Sequence, residues 1–175
     1  MTDFNEFKMD LQSCRDCFQA KEPELPVGSN NAEIVFLSVD PYGEEIDLLP
    51  NSLYSRYISN VMLYFPMEYT YYFTKLKFCA GGEPTVCVKK WKKKELSFLK
   101  PRILIVIGDL SFREMIDDSF SMEEYSFAIQ NNFTFMGGNF CLLILPSPYF
   151  VYKEKKELAY FNKKLAELQS SFYKL

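Results

Sequence analysis

Short unbroken apolar runs alternate along this chain with stretches in which apolar residues recur every three or four positions, the signature of strands alternating with amphipathic helices. Phe7, Leu11, Cys14 and Phe18 stand at helical spacing and predict a helix over Asn5 to Ala20. A turn-rich stretch, Pro23 to Asn31, leads into the β-rich run Ala32 to Val39, which ends at Asp40-Pro41-Tyr42-Gly43. Leu53 to Phe65 reads as a helix that stops before Pro66, and Tyr69 to Phe78 as a second strand. Cys87 to Lys100 reads as a lysine-rich helix closed by Pro101, and Arg102 to Gly108 is the clearest buried strand. Asp109 to Asp118 predicts a further helix with Asp109 or Ser111 at its N-cap. Asn132 to Met136 and Asn139 to Leu145 predict a hairpin around Gly137-Gly138, and Lys153 to Ser170 a closing helix.

Strands alternating with helices imply an α/β fold. The expectation is a three-layer α/β/α sandwich with a central, mostly parallel sheet of four to five strands. At 175 residues the whole chain, 1–175, is expected to form a single domain. In such sheets chemistry sits in loops beyond the carboxyl ends of the strands. Two of those loops carry polar residues, Asp40-Pro41-Tyr42 and Pro146-Ser147-Pro148. Each also has a plain structural reading: Asp-Pro is a favoured turn after a strand, and Pro-Ser-Pro a rigid strand terminator.

Composition changes the picture mainly by exclusion. Hydrophobic residues make up 48% of the chain and charged residues 25%, so a packed core is affordable. The 17 Phe and 12 Tyr predict a core filled with rings. Histidine is absent, which removes imidazole acid–base chemistry, Ser-His and Cys-His nucleophiles and every His-ligated metal. No run approaches the roughly 18–20 apolar residues of a membrane span, and the acidic start Met1 to Glu6 lacks a secretory pattern. The expected location is therefore the cytoplasm, with no membrane partner. In that reducing compartment the five cysteines read as metal ligands or free thiols sooner than disulfides.

Cys14-Arg15-Asp16-Cys17 places two thiolates one helical turn apart, close enough to share an ion or cluster. Cys79 and Cys87 form a looser pair with seven residues between them, unlike the second C-x-x-C of a zinc ribbon. Four thiolates without histidine suit Zn²⁺ or a [4Fe–4S] cluster; unrelated buried thiols are the alternative. Cys141 lies within a predicted strand and reads as a small buried residue.

The order of these features resembles the iron–sulfur (family 4) branch of the uracil-DNA glycosylase superfamily over nearly the whole chain. The features are an N-terminal C-x-x-C, a strand ending in a Pro-turn with Gly43-Glu44-Glu45, a strand running into Cys79, Cys87 followed by a helix, and Pro101 to Gly108. The resemblance implies a [4Fe–4S] cluster on Cys14, Cys17, Cys79 and Cys87, with Zn as the alternative. Cys79 and Cys87 are closer in sequence than that branch usually has them. Asp40-Pro41-Tyr42 is similar to the family 1 water-activating motif, in which the Asp positions water and the Tyr excludes a thymine methyl. Pro146-Ser147-Pro148 is similar to the loop that pinches DNA. Two departures stand out: Leu145 occupies the place of that loop's histidine, and Lys75 the place of the superfamily's uracil-reading Asn.

The resemblance thus implies a DNA-repair enzyme that hydrolyses the N-glycosidic bond of a flipped-out base, uracil first. Asp40 is the catalytic residue and Pro41, Tyr42, Lys75, Leu145, Pro146, Ser147 and Pro148 border the substrate, with Phe65 or Tyr54 as base platforms. The partner is DNA, single-stranded or a damaged duplex, and the protein acts as a monomer. Leucine cannot donate a hydrogen bond, and lysine cannot accept one from the base; a weakened or inactive iron–sulfur DNA-binding or partner-binding protein of the same fold is therefore the second reading. A zinc-stabilised interaction domain is the third. The net charge of −3 argues against a general nucleic-acid binder but leaves room for a local basic face. Lys89, Lys90, Lys92 and Lys93, around Trp91, are the expected phosphate contacts. The same run also reads as a solvated helix face with Trp91 tucked into the core.

Overall fold

The computed structural model describes residues 4–17, 22–38, 52–79, 81–108, 113, 125–135 and 138–172. Their elements run α1 (Phe4–Gln12), β1 (Val27–Gly28), β2 (Ile34–Ser38), α2 (Leu53–Met62) and β3 (Tyr71–Lys75). A continuous helix follows, made of α3 (Pro84–Cys87), a π-helical turn (Val88–Lys92) and α4 (Lys93–Leu99). Then come β4 (Ile103–Ile107), β5 (Ile129–Phe135), β6 (Gly138–Leu145), α5 (Pro148–Lys153) and α6 (Lys155–Phe172).

The strands form one six-stranded sheet in the order β1-β3-β2-β4-β6-β5. β3, β2, β4 and β6 are parallel to their neighbours, while β1 and β5 close the two edges antiparallel. The expected α/β architecture with a mostly parallel sheet is observed. It carries six strands where four to five were expected, because the two-residue β1 sits inside the stretch read as turns.

β2 and β4 are buried along their whole length, as strands covered on both faces must be. Alternate residues serve opposite cores. Val35, Leu37, Tyr72, Leu104, Val106, Leu142 and Ile144 pack with Phe4, Phe7 and Leu11 of α1, Trp91 of the π turn, and Leu96 and Leu99 of α4. Ile34, Phe36, Ile103, Ile105, Leu143 and Leu145 pack instead with Tyr57, Ile58 and Val61 of α2, Val151 of α5, and Phe161, Leu165 and Phe172 of α6. The ring-rich composition is spent here: Phe65 stacks on Phe172 at 4.0 Å, and Tyr57 lies 5.1 Å from Phe161. Phe65 is thus a core residue and not a platform for a base.

The first helix is shorter than its apolar spacing predicts. It ends at Gln12 and not near Ala20, because the Ser13 hydroxyl donates back to the Asp10 carbonyl and the Arg15 guanidinium caps the carbonyls of Gln12 and Cys14. Cys14 and Cys17 therefore occupy irregular backbone, not one helical face. At the chain's other end, the segment after β6 forms a separate helix, α5, because Ser147 N-caps it and Pro148 takes its first turn. The helix expected over Asp109 to Asp118 and the turn at Gly137 lie outside the described residues, apart from Arg113, which is helical. No helix among the described residues is long and apolar enough to cross a membrane.

Candidate functional site

Parallel strands with common register bring their carboxyl ends to one edge. Lys75, Ser38, Ile107 and Leu145 end β3, β2, β4 and β6, and stand side by side across the sheet. The chain leaves β2 through Ser38 toward Asp40-Pro41-Tyr42, which lie outside the described residues. It leaves β6 through Leu145 into Pro146-Ser147-Pro148. At the end of β4, Gly108 turns with φ +91°, a conformation that suits glycine, and its N–H donates to the Leu145 carbonyl at 2.9 Å. A Cβ on Gly108 would stand 3.7 Å from Ser147 Cβ, so the β4 and β6 loops pass close to one another.

The side chains at this edge are fixed by neighbours. Ser38 is buried and donates to the Tyr54 hydroxyl at 3.1 Å. Burial pushes the Tyr54 phenol far above its usual range, so it is a neutral hydroxyl. Tyr57 donates to the Pro146 carbonyl at 2.7 Å and anchors the start of that loop. Lys75 is paired with Glu24 of the segment before β1, so its ammonium is already engaged. Leu145 is fully buried and faces α2 and α6, a correction to its expected place at the substrate: the last inward position of β6 belongs to the core. Leu145→His therefore creates no catalytic base. Placing an imidazole in this apolar core is expected to cost about 1–3 kcal/mol, read as a lower urea midpoint with no gain in activity.

Four cysteines lie around the carboxyl end of β3, on the face of the sheet opposite Leu145. Cys14, Cys79 and Cys87 share the core that packs α1 and the π-turn helix against the sheet. Cys17 reaches the same place: a Cβ on Gly82 would stand 3.0 Å from the Cys79 carbonyl oxygen, 3.4 Å from Cys79 Cβ and 3.8 Å from Cys17 Sγ, so the backbone at Gly82 runs close to both cysteines. Burial pushes the Cys79 thiol up to about 11, and the charges of Cys87, Cys14 and Cys17 add to the rise, so Cys79 lies within reach of the other three. Burial raises the Cys87 thiol as well, opposed by a hydrogen bond from the Phe78 backbone N–H and by the charge of Lys92. Cys141 lies across the sheet in the other core, where its thiol donates to Asn131 at 3.1 Å.

This donor set fits a thiolate-bound inorganic centre by its chemistry. Four free thiols around the end of β3, with a backbone hydrogen bond and the Lys92 charge beside Cys87, suit such a centre. Trp91, one turn beyond Cys87, has an indole N–H that is buried without a partner among the described residues. The sulfurs are not drawn tightly together, however. Among the described residues no three Cys, Asp or Glu side chains are close enough to hold one metal ion. Zn–S bonds of about 2.3 Å put tetrahedral thiolates about 3.8 Å apart, whereas a polynuclear cluster holds its cysteines more widely.

The lysine helix divides by face. Lys89, Lys90 and Lys93 are exposed, while Trp91 is core, edge-on to Phe7 at 6.0 Å. Lys90 is bonded to Asp16 at 2.5 Å, tying the Cys14–Cys17 segment to this helix. That bond, with the Lys90 charge and the Cys14 thiol, holds the Asp16 carboxyl below its usual range. Lys92 corrects the expectation of a phosphate contact: it is fully buried, because it falls on the inward stripe with Cys87, Val88, Trp91, Glu95 and Leu96. Its ammonium donates to Glu95 Oε2 and to Thr74 Oγ1, each at 2.7 Å. Thr74 and Tyr72 in turn donate to Glu95 Oε1, at 2.8 and 3.0 Å. Burial pulls the Lys92 pKa down, and the charges of Glu95 and Cys87 push it back up. No protein-family model matches this chain, and no curated protein does.

Proposed function

We infer that the protein is a cytoplasmic, monomeric, uracil-DNA glycosylase-like repair enzyme that hydrolyses the N-glycosidic bond of a base flipped out of DNA. One observation carries this reading. β2 and β6 end in register with β4 between them, a spacing of roughly 10 Å, so the chain leaves toward Asp40-Pro41-Tyr42 and into Pro146-Ser147-Pro148 from the same carboxyl edge of the sheet.

In this reading the Asp40 carboxylate orients water and offsets the positive charge that develops on the sugar as the base leaves. Tyr42, beside Pro41, walls off the C5 edge of the base. Pro146, Ser147 and Pro148 contact the DNA backbone, and Lys89 and Lys93 add phosphate contacts from the exposed helix face. Cys14, Cys17, Cys79 and Cys87 hold a [4Fe–4S] cluster, or zinc, which pins α1, β3 and α3 together. Lys75, held by Glu24, supports a border role at the base and not a reading of its edge.

Purified protein is expected to leave abasic sites in uracil-containing single- and double-stranded oligonucleotides, seen as strand breaks after alkali. Asp40→Asn is expected to slow this by about 100-fold or more. No abasic product at enzyme excess rejects uracil excision, and full activity in Asp40→Asn rejects the mechanism. A second reading, an iron–sulfur protein that binds DNA or a partner with weakened or no catalysis, is favoured by the burial of Leu145, which leaves no donor at the histidine position. Tight, salt-sensitive DNA binding without turnover distinguishes it.

A further inference from the structure

A lysine without exposed surface is rare, because removing an ammonium from water costs several kcal/mol that a single carboxylate only partly offsets. Lys92 and Glu95 are both in this state. Replacing such a pair by apolar residues of similar volume is commonly neutral or even stabilising. Fold stability alone is therefore a weak reason for placing two charges here, and their position supplies a better one.

Lys92 closes the π turn that begins just after Cys87, on the same inward stripe of the helix. Its Nζ lies 3.8 Å from the centroid of the Phe78 ring. Phe78 is the residue before Cys79, and its N–H is the one bonded to Cys87. Glu95 is three residues farther along the helix from Cys87 and is tied to Tyr72 and Thr74 of β3. The pair is thus a fixed dipole with its ammonium end nearer the cysteines. Among the described residues, two other cations near the cysteines are exposed: Arg15 caps carbonyls at the end of α1, and Lys90 pairs with Asp16, so water and salt screen both. Nothing screens Lys92 in this way.

We propose that Lys92 is the internal counter-charge of the four-cysteine centre, a positioning residue that offsets part of the negative charge four thiolates retain around a bound metal. This rests on reading Cys14, Cys17, Cys79 and Cys87 as ligands. Glu95, Thr74 and Tyr72 then serve to hold the ammonium in place, and the exposed lysines of the same helix play no part in metal affinity.

The test is anaerobic reconstitution of reduced, metal-free protein with Fe²⁺ and sulfide, whose thiolate-to-iron charge-transfer absorbance reports a cysteine-held cluster directly, with a competing iron chelator setting how tightly it is held. Wild-type protein is expected to show thiolate bands. Lys92→Met/Glu95→Leu removes both charges with little change of volume, and Lys92→Gln/Glu95→Gln removes them while keeping hydrogen-bonding groups. Either is expected to hold the cluster about tenfold more weakly against the chelator, with the urea midpoint of the metal-free protein unchanged or raised. Lys92→Arg, which keeps the charge, is expected to bind close to wild type. Should either folded double variant bind as tightly as wild type, the counter-charge is rejected while the ligand assignment stands. Absence of thiolate bands in the wild-type protein rejects the ligand assignment and the counter-charge together.

Discussion

Lys92→Met alone is expected to be far more damaging than its apolar double-variant counterpart, lowering the free energy of unfolding by about 3–5 kcal/mol. The single change leaves the Glu95 carboxylate buried with only the Tyr72 and Thr74 hydroxyls for partners. It also removes a donor from Thr74, breaking the relay of hydrogen bonds that ties β3 to the helix. Domains of this size are stable by only about 5–15 kcal/mol, so the loss takes a large share. Urea denaturation followed by circular dichroism reads it directly. Lys93→Met, one residue on but exposed, is the control and is expected to shift stability by less than about 0.5 kcal/mol. Equal effects at the two positions would mean that Lys92 does not occupy the interior.

The second large effect concerns the sulfurs. Cys79→Ser is expected to lower metal affinity by on the order of a hundredfold, since one of four ligands carries about a quarter of the roughly 10–16 kcal/mol typical of structural thiolate sites. Cys79 is the ligand of choice because its thiol feels the other three. Cys141→Ser is the matched control: it removes a buried thiol on the far side of the sheet and is expected to leave metal content unchanged. Elemental analysis of protein purified without oxygen measures both. Equal loss of metal in the two variants, or no metal in wild type, removes the centre.

Much of the fold is legible in the chain because its central strands are buried on both faces. Ile34 to Leu37 and Ile103 to Ile107 are unbroken apolar runs, and both prove to be in core strands, β2 and β4. Element ends are less legible, because they are set by side chains bonding back to nearby carbonyls. Nothing in the apolar spacing of Phe7, Leu11, Cys14 and Phe18 reveals that Ser13 and Arg15 stop the helix at Gln12. The two-residue β1 has no periodicity to detect. Its pairing is set by Gly28, whose φ of +131° brings its backbone so close to β3 that a Cβ would stand 2.4 Å from the Tyr71 carbonyl oxygen.

For the site, cysteine spacing gives which residues to watch, and the structure adds that Cys141 is separated from the other four. Lysine composition misleads, since a run of like charges hides which members face inward. The signal was present nonetheless. Lys92 and Glu95 fall on the same helical stripe as Cys87, Val88, Trp91, Leu96 and Leu99, and a charge on an apolar stripe marks a buried partnership. The pairing of Lys75 with Glu24 joins residues 51 positions apart and leaves no such trace.

The two outermost strands carry a consequence for behaviour at high concentration. A sheet with a long, straight margin is a template on which another chain can stack and begin a fibre. Here one margin is only two residues long. The other is interrupted between Gln130 and Phe133, with Asn132 in a left-handed conformation, so its unpaired groups do not form an even row. The inner strands, β2 and β4 wholly buried among them, are in this way fenced by margins too short or too crooked to offer a neighbour an even row of unpaired groups.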